Sequence, residues 1–115
     1  WARWLAQATG ELLRKRDVIA HHGGIFHLAA AGHATRYEFA EAVIEFLRDG
    51  PGGPGGWAKL RPIKTAQYPL PARRPPRPVL NTSRIERVFG IAPRAWRDQL
   101  HEFLRELAKS TSLGV

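Results

Sequence analysis

The centre of the chain, residues 50–78, is dominated by glycine and proline, and this stretch decides where regular structure can form. Residues 50–56 read Gly-Pro-Gly-Gly-Pro-Gly-Gly and predict a flexible surface loop, because neither residue type sustains the interior of a helix or a strand. Residues 59–63 predict one short strand. Residues 66–78 hold five of the nine prolines of the chain and predict an extended, semi-rigid segment.

Two amphipathic helices are predicted before this centre. Residues 2–20 carry apolar side chains at helical spacing, and the glycine pair at 23–24 ends that helix. The next helix is predicted to begin at Thr35, where Glu38 three residues later completes a capping-box pattern, and to stop at residues 49–50.

Two further helices are predicted after the centre. Ser83 and Glu86 have the spacing of a second capping box, and Gly90 ends the short helix that they open. Pro93 suits the first turn of the last helix. The apolar stripe of that helix is its clearest feature and consists of Trp96, Leu100, Phe103, Leu104 and Leu107.

Residues 25–29, Ile-Phe-His-Leu-Ala, form a short apolar run that predicts one strand. Since the run is almost continuously apolar, we expect that strand to be covered on both faces, as in a parallel sheet. The predicted fold class is therefore α/β, mostly helical with a few short strands.

Length and composition limit the class of protein. The chain has 115 residues, which fits one domain, and a formal net charge of +8. Its apolar runs are far shorter than the ~20 residues that a membrane helix needs, so we expect no membrane partner. The absence of cysteine excludes a disulfide framework and is compatible with the cytoplasmic location that we expect. There is no methionine, even at position 1, and we expect the chain to be a piece of a longer one.

Several catalytic and binding motifs are missing from the sequence. The glycine-rich stretch follows a helix and precedes none, so it lacks the context of a dinucleotide fingerprint, and no P-loop is present. The five histidines have no spacing that indicates a metal site. Ser83 is interpreted as a helix cap rather than a nucleophile. Neither Tyr37 nor Tyr68 has a lysine four residues later, so a tyrosine–lysine proton-donor pair on one helix face is excluded.

The strongest positive signal is the pair Arg73-Arg74 within the proline-rich segment. Neighbouring prolines stiffen the backbone, so the two guanidinium groups lose less entropy when a ligand binds. Guanidinium groups can bind a diphosphate through paired N–H donors. The alternative interpretation is a solvated basic loop that binds no ligand. Four other arginines are expected on exposed helix faces, paired with nearby acids such as Glu86 and Asp98: Arg84, Arg87, Arg94 and Arg97.

Several blocks of sequence, in their order and spacing, resemble the C-terminal portion of the dTDP-4-dehydrorhamnose reductase family, which are extended short-chain dehydrogenases/reductases. The most specific block is Tyr-Pro-Leu-Pro-Ala-Arg-Arg-Pro at residues 68–75. The others are residues 24–32, 35–40, 62–67, 79–83, 89–91 and 96–98. The resemblance covers essentially the whole chain.

This resemblance implies a sugar-nucleotide enzyme that reduces dTDP-4-dehydro-L-rhamnose to dTDP-L-rhamnose with NADPH or NADH. In the family, the glycine fingerprint and the Tyr-x-x-x-Lys pair lie in an N-terminal Rossmann domain that this chain lacks. The resemblance therefore implies no catalytic residue, no cofactor and no metal in this chain, and inactivity by itself. The resemblance implies a single substrate-binding domain over residues 1–115, and residues 1–32 of it would lie at the edge of the nucleotide-binding sheet. The substrate-binding residues that it implies are Arg74, Arg73 and Tyr68. The implied partners are a dTDP-sugar and the Rossmann domain.

The sequence departs from the family pattern at two places. Thr35-Arg36 stands where many members have Ser-Trp, which affects how that helix start packs. Some members dimerise around a metal held by three glutamates; Glu106 matches one of them, but Arg3 stands where the first helix supplies another. Because a guanidinium repels a cation, we expect no metal bridge.

Two other classes of protein stay open. A small basic nucleic-acid-binding module fits the sequence pI of about 11.1. Against it, the arginines are spread over loops and several helices, so we expect no nucleic-acid partner. A partner-binding domain unrelated to sugars is the third option. If the strand near residues 24–30 lacks its neighbours, its open edge also predicts self-association.

Overall fold

The computed structural model describes residues 1–50, 55–72 and 75–112, and for 111 and 112 the backbone alone. The helices are α1 (Ala2–Arg14), α2 (Arg16–His21), α3 (Arg36–Asp49), α4 (Ser83–Phe89) and α5 (Trp96–Ser112), with a 3₁₀ turn at Thr65–Gln67. Within the described residues no strand forms, and one parallel bridge joins Ala31 to Ala95. The chain divides into two compact units, residues 1–32 with 79–103 and residues 33–78 with 104–115.

The first unit is built around a small apolar core. Its buried members are Ala8, Ile85, Phe89 and Ile91, and partly buried side chains pack around them: Leu12, Val18, Phe26, Leu28 and Val88. Phe26 and Phe89 meet edge to face, with ring centroids 5.0 Å apart. Such a pair adds directional stabilisation to the burial of the two rings. The core therefore joins α1 and α4 to the segment that follows α2.

The first predicted helix is interrupted, so the expectation of one helix over residues 2–20 is wrong. Lys15 separates α1 from α2 with φ −95° and ψ 50°, and that ψ lies outside the helical range. Its side-chain Nζ donates a hydrogen bond to the carbonyl of Phe89 at the end of α4. Lys15 thus satisfies a carbonyl that the end of α4 leaves without an intrahelical partner.

The strand predicted over residues 25–29 does not form, and one side chain binds backbone carbonyls at the start of this segment. Arg84 donates to the carbonyls of Gly23 and Ile25, at 2.9 and 3.0 Å. Phe26 lies against the core, whereas Ile25 is 78% exposed. The strand predicted over residues 59–63 is absent as well. The self-association expected from an open strand edge stays a prediction.

The helix ends confirm some sequence predictions and correct others. Thr35 Oγ1 accepts from Glu38 N, and the Glu38 carboxylate accepts from Thr35 N at 2.6 Å, as the capping-box pattern predicted. Gly90 ends α4 in the left-handed conformation, φ 66°, also as predicted. The second capping box is wrong, because Ser83 is the first helical residue and its amide donates to the side chain of Asn81.

The last helix begins later than predicted, so Pro93 lies before it rather than in its first turn. The residues before α5 instead form a bridge with Ala31. The Ala31 amide donates to the carbonyl of Arg94, and the Ala31 carbonyl accepts from the amide of Trp96. The apolar stripe of α5 is only partly buried: Leu100 and Leu104 are covered, whereas Phe103 and Leu107 are 42% and 50% exposed.

The second unit contains α3 and the 3₁₀ turn, and Ala42 of α3 is buried there. The mostly helical character predicted from the sequence is confirmed. Among the helices described, none combines the length and the apolar character needed to cross a bilayer.

Candidate substrate-binding segment

Tyr68 is positioned by the 3₁₀ turn that precedes it. The amide of Gln67 donates to the carbonyl of Lys64 at 2.9 Å, and the Gln67 side-chain oxygen accepts from the Lys64 amide at 2.7 Å. The amide of Tyr68 then donates to the carbonyl of Thr65 at 3.1 Å. These bonds fix the backbone on the N-terminal side of Tyr68, which sequence patterns had placed only in an extended segment.

The Tyr68 side chain faces solvent. It is 61% exposed, Leu70 is 43% exposed, and every residue from 58 to 72 is exposed. An exposed phenol offers a ring face for stacking and a hydroxyl that both donates and accepts hydrogen bonds. Tyr68 is therefore accessible to a ligand, as a substrate-binding residue must be.

Arg73 and Arg74, the other two candidate residues, lie outside the described residues. The sequence places them five and six positions after Tyr68. On their far side, Pro75 and Arg77 are exposed. Whether the two guanidinium groups and the phenol converge on one ligand therefore stays a prediction.

Tyr37, the second tyrosine, occupies a different environment. Its hydroxyl donates to the Glu41 carboxylate at 3.2 Å, one helical turn along α3. The hydrogen bond to Glu41, followed by the negative charge of that carboxylate, raises the pKa of the Tyr37 phenol above its usual value of 10.0. A phenol held in its protonated form by a carboxylate is the opposite of the lysine-activated tyrosine that the sequence excluded.

Arg84 lies on an exposed face of α4, as the sequence predicted. Its predicted pairing with a nearby acid is wrong, because it binds backbone carbonyls and lies over the Phe26 ring. Arg94 does pair with a carboxylate, but with Glu102 on the next turns of α5, in a bidentate arrangement. No local sequence signal identifies Arg84, because its partners lie about sixty positions earlier.

The described residues contain no group of three or more His, Cys, Asp or Glu side chains arranged to hold a metal ion. His27, predicted to lie in a strand, is exposed. Arg3, which stands where the family supplies a carboxylate, has its guanidinium 5.1 Å from the Trp1 ring. Residues 57–64, which follow the glycines at 55 and 56, form no helix. A dinucleotide-binding fingerprint needs a helix directly after its glycines, so residues 55–64 do not fit a dinucleotide.

The sequence profile described as the RmlD substrate binding domain matches residues 1–109. The chain is similar to dTDP-4-dehydrorhamnose reductase of Burkholderia thailandensis, with 35% identity over an alignment 112 positions long that covers 93% of this chain and 38% of the relative. It is also similar to the reductase of the same name from Escherichia coli K12, at 34% identity over 97% of this chain and 37% of the relative. A third relative, from Streptomyces antibioticus, is a probable dTDP-4,6-dihydroxy-2-methyloxan-3-one 4-ketoreductase, with 37% identity over 82% of this chain and 31% of the relative.

This chain thus spans about 37% of the length of the reductases it matches. No solved structure matches it at a significant level. All three relatives are named as reductases or ketoreductases, so the comparisons give no support to the nucleic-acid alternative.

Proposed function

This chain belongs to the RmlD substrate-binding domain family, and from that premise we propose that it forms the sugar-nucleotide-binding part of a reductase. The proposed reaction is reduction of the 4-keto group of dTDP-4-dehydro-L-rhamnose to give dTDP-L-rhamnose in the cytoplasm. The observation that carries the proposal is the family match over residues 1–109, together with similarity to relatives named as reductases of a dTDP-sugar.

The proposed substrate-binding residues are Tyr68, Arg73 and Arg74. Two adjacent guanidinium groups can each offer paired N–H donors to the oxygens of a diphosphate, which lysine cannot do. Prolines on both sides of the pair restrict the backbone, and this lowers the entropy lost on binding. The exposed ring of Tyr68 supports the proposal because it is free to lie against the sugar or the base.

The chemical step is proposed to depend on polypeptide that this chain does not contain. A nicotinamide cofactor, NADPH or NADH, supplies the hydride when it is bound there. Since the glycine stretch of this chain does not fit a dinucleotide, its own contribution is to bind and orient the sugar nucleotide. Residues 1–115 are proposed to act as one substrate-binding domain, with residues 1–32 at the edge of the nucleotide-binding sheet of the complete enzyme.

Oxidation of NADPH in the presence of dTDP-4-dehydro-L-rhamnose tests this division of roles. The chain is assayed alone and together with its complement, defined as the part of the Burkholderia thailandensis reductase outside the stretch matched by this chain. We expect no turnover with either component alone and measurable turnover with both. Hydride transfer by the 115 residues alone would contradict the proposal, and so would inactivity of a mixture in which the two components associate.

A further inference from the structure

The positive charge of the chain is concentrated in residues 50–78. This segment contains six basic side chains and no acidic one, whereas the other residues contain twelve basic and ten acidic side chains. It therefore carries +6 of the formal net charge of +8. The nearest carboxylates along the chain are those of Asp49 and Glu86. A segment whose charges all have one sign produces a field that extends into solvent and attracts ligands of the opposite sign.

Three of these basic residues precede Tyr68, and we call them the approach cations: Lys59, Arg61 and Lys64. All three are exposed. An exposed charge gains little from a direct ion pair, because it must give up side-chain entropy and the pair is screened by water. The approach cations are therefore suited to act on a ligand at a distance rather than to hold it in one geometry.

The covalent chain limits how far the approach cations can lie from Tyr68. The 3₁₀ turn at Thr65–Gln67 joins Lys64 to Tyr68 through backbone hydrogen bonds of 2.9 and 3.1 Å. Because such a turn rises ~2 Å per residue, the Cα atoms of Lys64 and Tyr68 are at most ~11 Å apart. Arg61 and Lys59 precede Tyr68 by seven and nine positions. Even a fully extended chain would keep their Cα atoms within ~25 and ~32 Å of it.

These distances match the range over which charges attract in solution. The Debye length is ~30 Å at 0.01 M ionic strength and ~8 Å at 0.15 M. At low salt, all three approach cations thus lie within about one Debye length of Tyr68. The diphosphate of a sugar nucleotide is doubly negative, so the approach cations attract it before it reaches Tyr68. Attraction of this kind raises the rate of association, whereas contacts with the bound ligand determine the rate of dissociation.

We propose that the approach cations steer the diphosphate of the sugar nucleotide towards Tyr68 and Arg73-Arg74 without contacting the bound ligand. This inference rests on the proposed function. It divides the basic residues of the segment into two roles: the arginine pair holds the diphosphate, and the approach cations set how often a sugar nucleotide arrives. Steering depends on charge alone, so a lysine and an arginine are interchangeable at these three positions. A bidentate contact, in contrast, requires the planar guanidinium.

Stopped-flow fluorescence of dTDP-L-rhamnose binding to the chain assembled with its complement tests the proposal, because it gives the association and dissociation rate constants separately. At 0.01 M ionic strength, the triple variant Lys59→Gln/Arg61→Gln/Lys64→Gln is expected to associate about threefold more slowly. Its dissociation rate constant should change less than 1.5-fold. The difference in association should disappear at about 0.5 M salt, where charges are screened within a few ångströms.

The variant Lys59→Arg/Arg61→Lys/Lys64→Arg is the matched control, because it changes the same three side chains and keeps every charge. Its association rate constant is expected to equal that of the unmodified chain. Circular dichroism checks that both variants fold, which their exposed positions favour.

Equal association rate constants for the glutamine variant and the unmodified chain at low salt would overturn the proposal. Faster dissociation of the glutamine variant, or slower association of the charge-conserving variant, would also overturn it, because either result indicates direct contact with the bound ligand. Arg74→Glu in the same assay separates this inference from the proposed function. If Arg74→Glu weakens binding while the glutamine variant associates normally, steering is refuted and the proposed function stands. Failure of the unmodified assembly to bind dTDP-L-rhamnose would refute the proposed function and this inference with it.

Discussion

The guanidinium carbon of Arg84 lies 4.3 Å from the centroid of the Phe26 ring. The same guanidinium donates to the carbonyls of Gly23 and Ile25. Gly24, between these carbonyls, has φ 111°, and a Cβ there would lie 3.1 Å from an Arg84 nitrogen. One side chain of α4 therefore fixes the path of the segment that follows α2.

Replacement of Arg84 is expected to destabilise the chain. Arg84→Ala removes two charge-assisted hydrogen bonds and a cation–π contact at an exposed site, and should lower the free energy of unfolding by about 1–2 kcal/mol. Arg84→Lys should recover less than half of that loss, because an ammonium does not reproduce the planar fork. Urea unfolding measures both variants. Arg87→Ala on the same helix is the control, and equal losses for Arg84→Ala and Arg87→Ala would contradict this account.

Two glycine substitutions should have opposite effects. Gly32 has φ 84°, and a Cβ there would lie 3.1 Å from the Trp96 ring, so Gly32→Ala should cost about 1–2 kcal/mol. Gly10 lies within α1, and a Cβ there would meet no neighbouring group within 4 Å, so Gly10→Ala should stabilise the chain by up to about 1 kcal/mol. Thermal unfolding measures both. A change of Tm in the same direction for the two variants would contradict the local geometry described at Gly32 and Gly10.

Glu41 is expected to control the titration of Tyr37. The hydrogen bond to Glu41 raises the pKa of the Tyr37 phenol above 10.0 in the folded chain. The stability that this contact gives to the folded chain is therefore fully present below pH 10 and is lost as pH rises through the raised pKa. Tyr68→Phe leaves Tyr37 as the sole tyrosine, so phenolate absorbance then reports Tyr37 alone. Adding Glu41→Gln should move the midpoint down towards 10.0. An unchanged midpoint would mean that the contact with Glu41 does not persist in solution.

The capping box at the start of α3 predicts a further loss of stability. Thr35→Ala removes the acceptor for the Glu38 amide, which lies 3.1 Å from the threonine hydroxyl, and should cost about 1 kcal/mol. Thr35→Ser keeps the acceptor and should cost much less. Chemical denaturation distinguishes the two variants, and identical midpoints for them would rule out a contribution from the cap.

Local signals in the sequence were sufficient for features whose partners are close along the chain. Thr35 and Glu38 are three positions apart, and the spacing alone identified their capping box. Gly90 was identified as a helix end because a left-handed residue at that position favours glycine. The 3₁₀ turn at Thr65–Gln67, by contrast, was missed, because it overlaps the start of the segment predicted as extended over residues 66–78.

Features that depend on distant partners could not be predicted in this way. Lys15 interrupts the first helix and binds the carbonyl of Phe89, which is 74 positions away in sequence. Residues 25–29 have the composition of a strand, but a strand forms only beside a neighbouring strand backbone. In this region the carbonyls of Gly23 and Ile25 bind the Arg84 side chain instead. The late start of α5 likewise follows from the bridge between Ala31 and Ala95.

Binding of dTDP-L-rhamnose to charge-reversal variants tests the central claim most directly, namely that the arginine pair holds the sugar nucleotide. Isothermal titration into the chain assembled with its complement gives the affinity. Arg74→Glu is expected to weaken binding at least tenfold, because it replaces a bidentate donor to the diphosphate with a like charge. Arg77→Glu, in the same proline-rich segment, is the matched control and should change affinity less than threefold. Equal affinity for the Arg74→Glu variant and the unmodified chain would contradict the account.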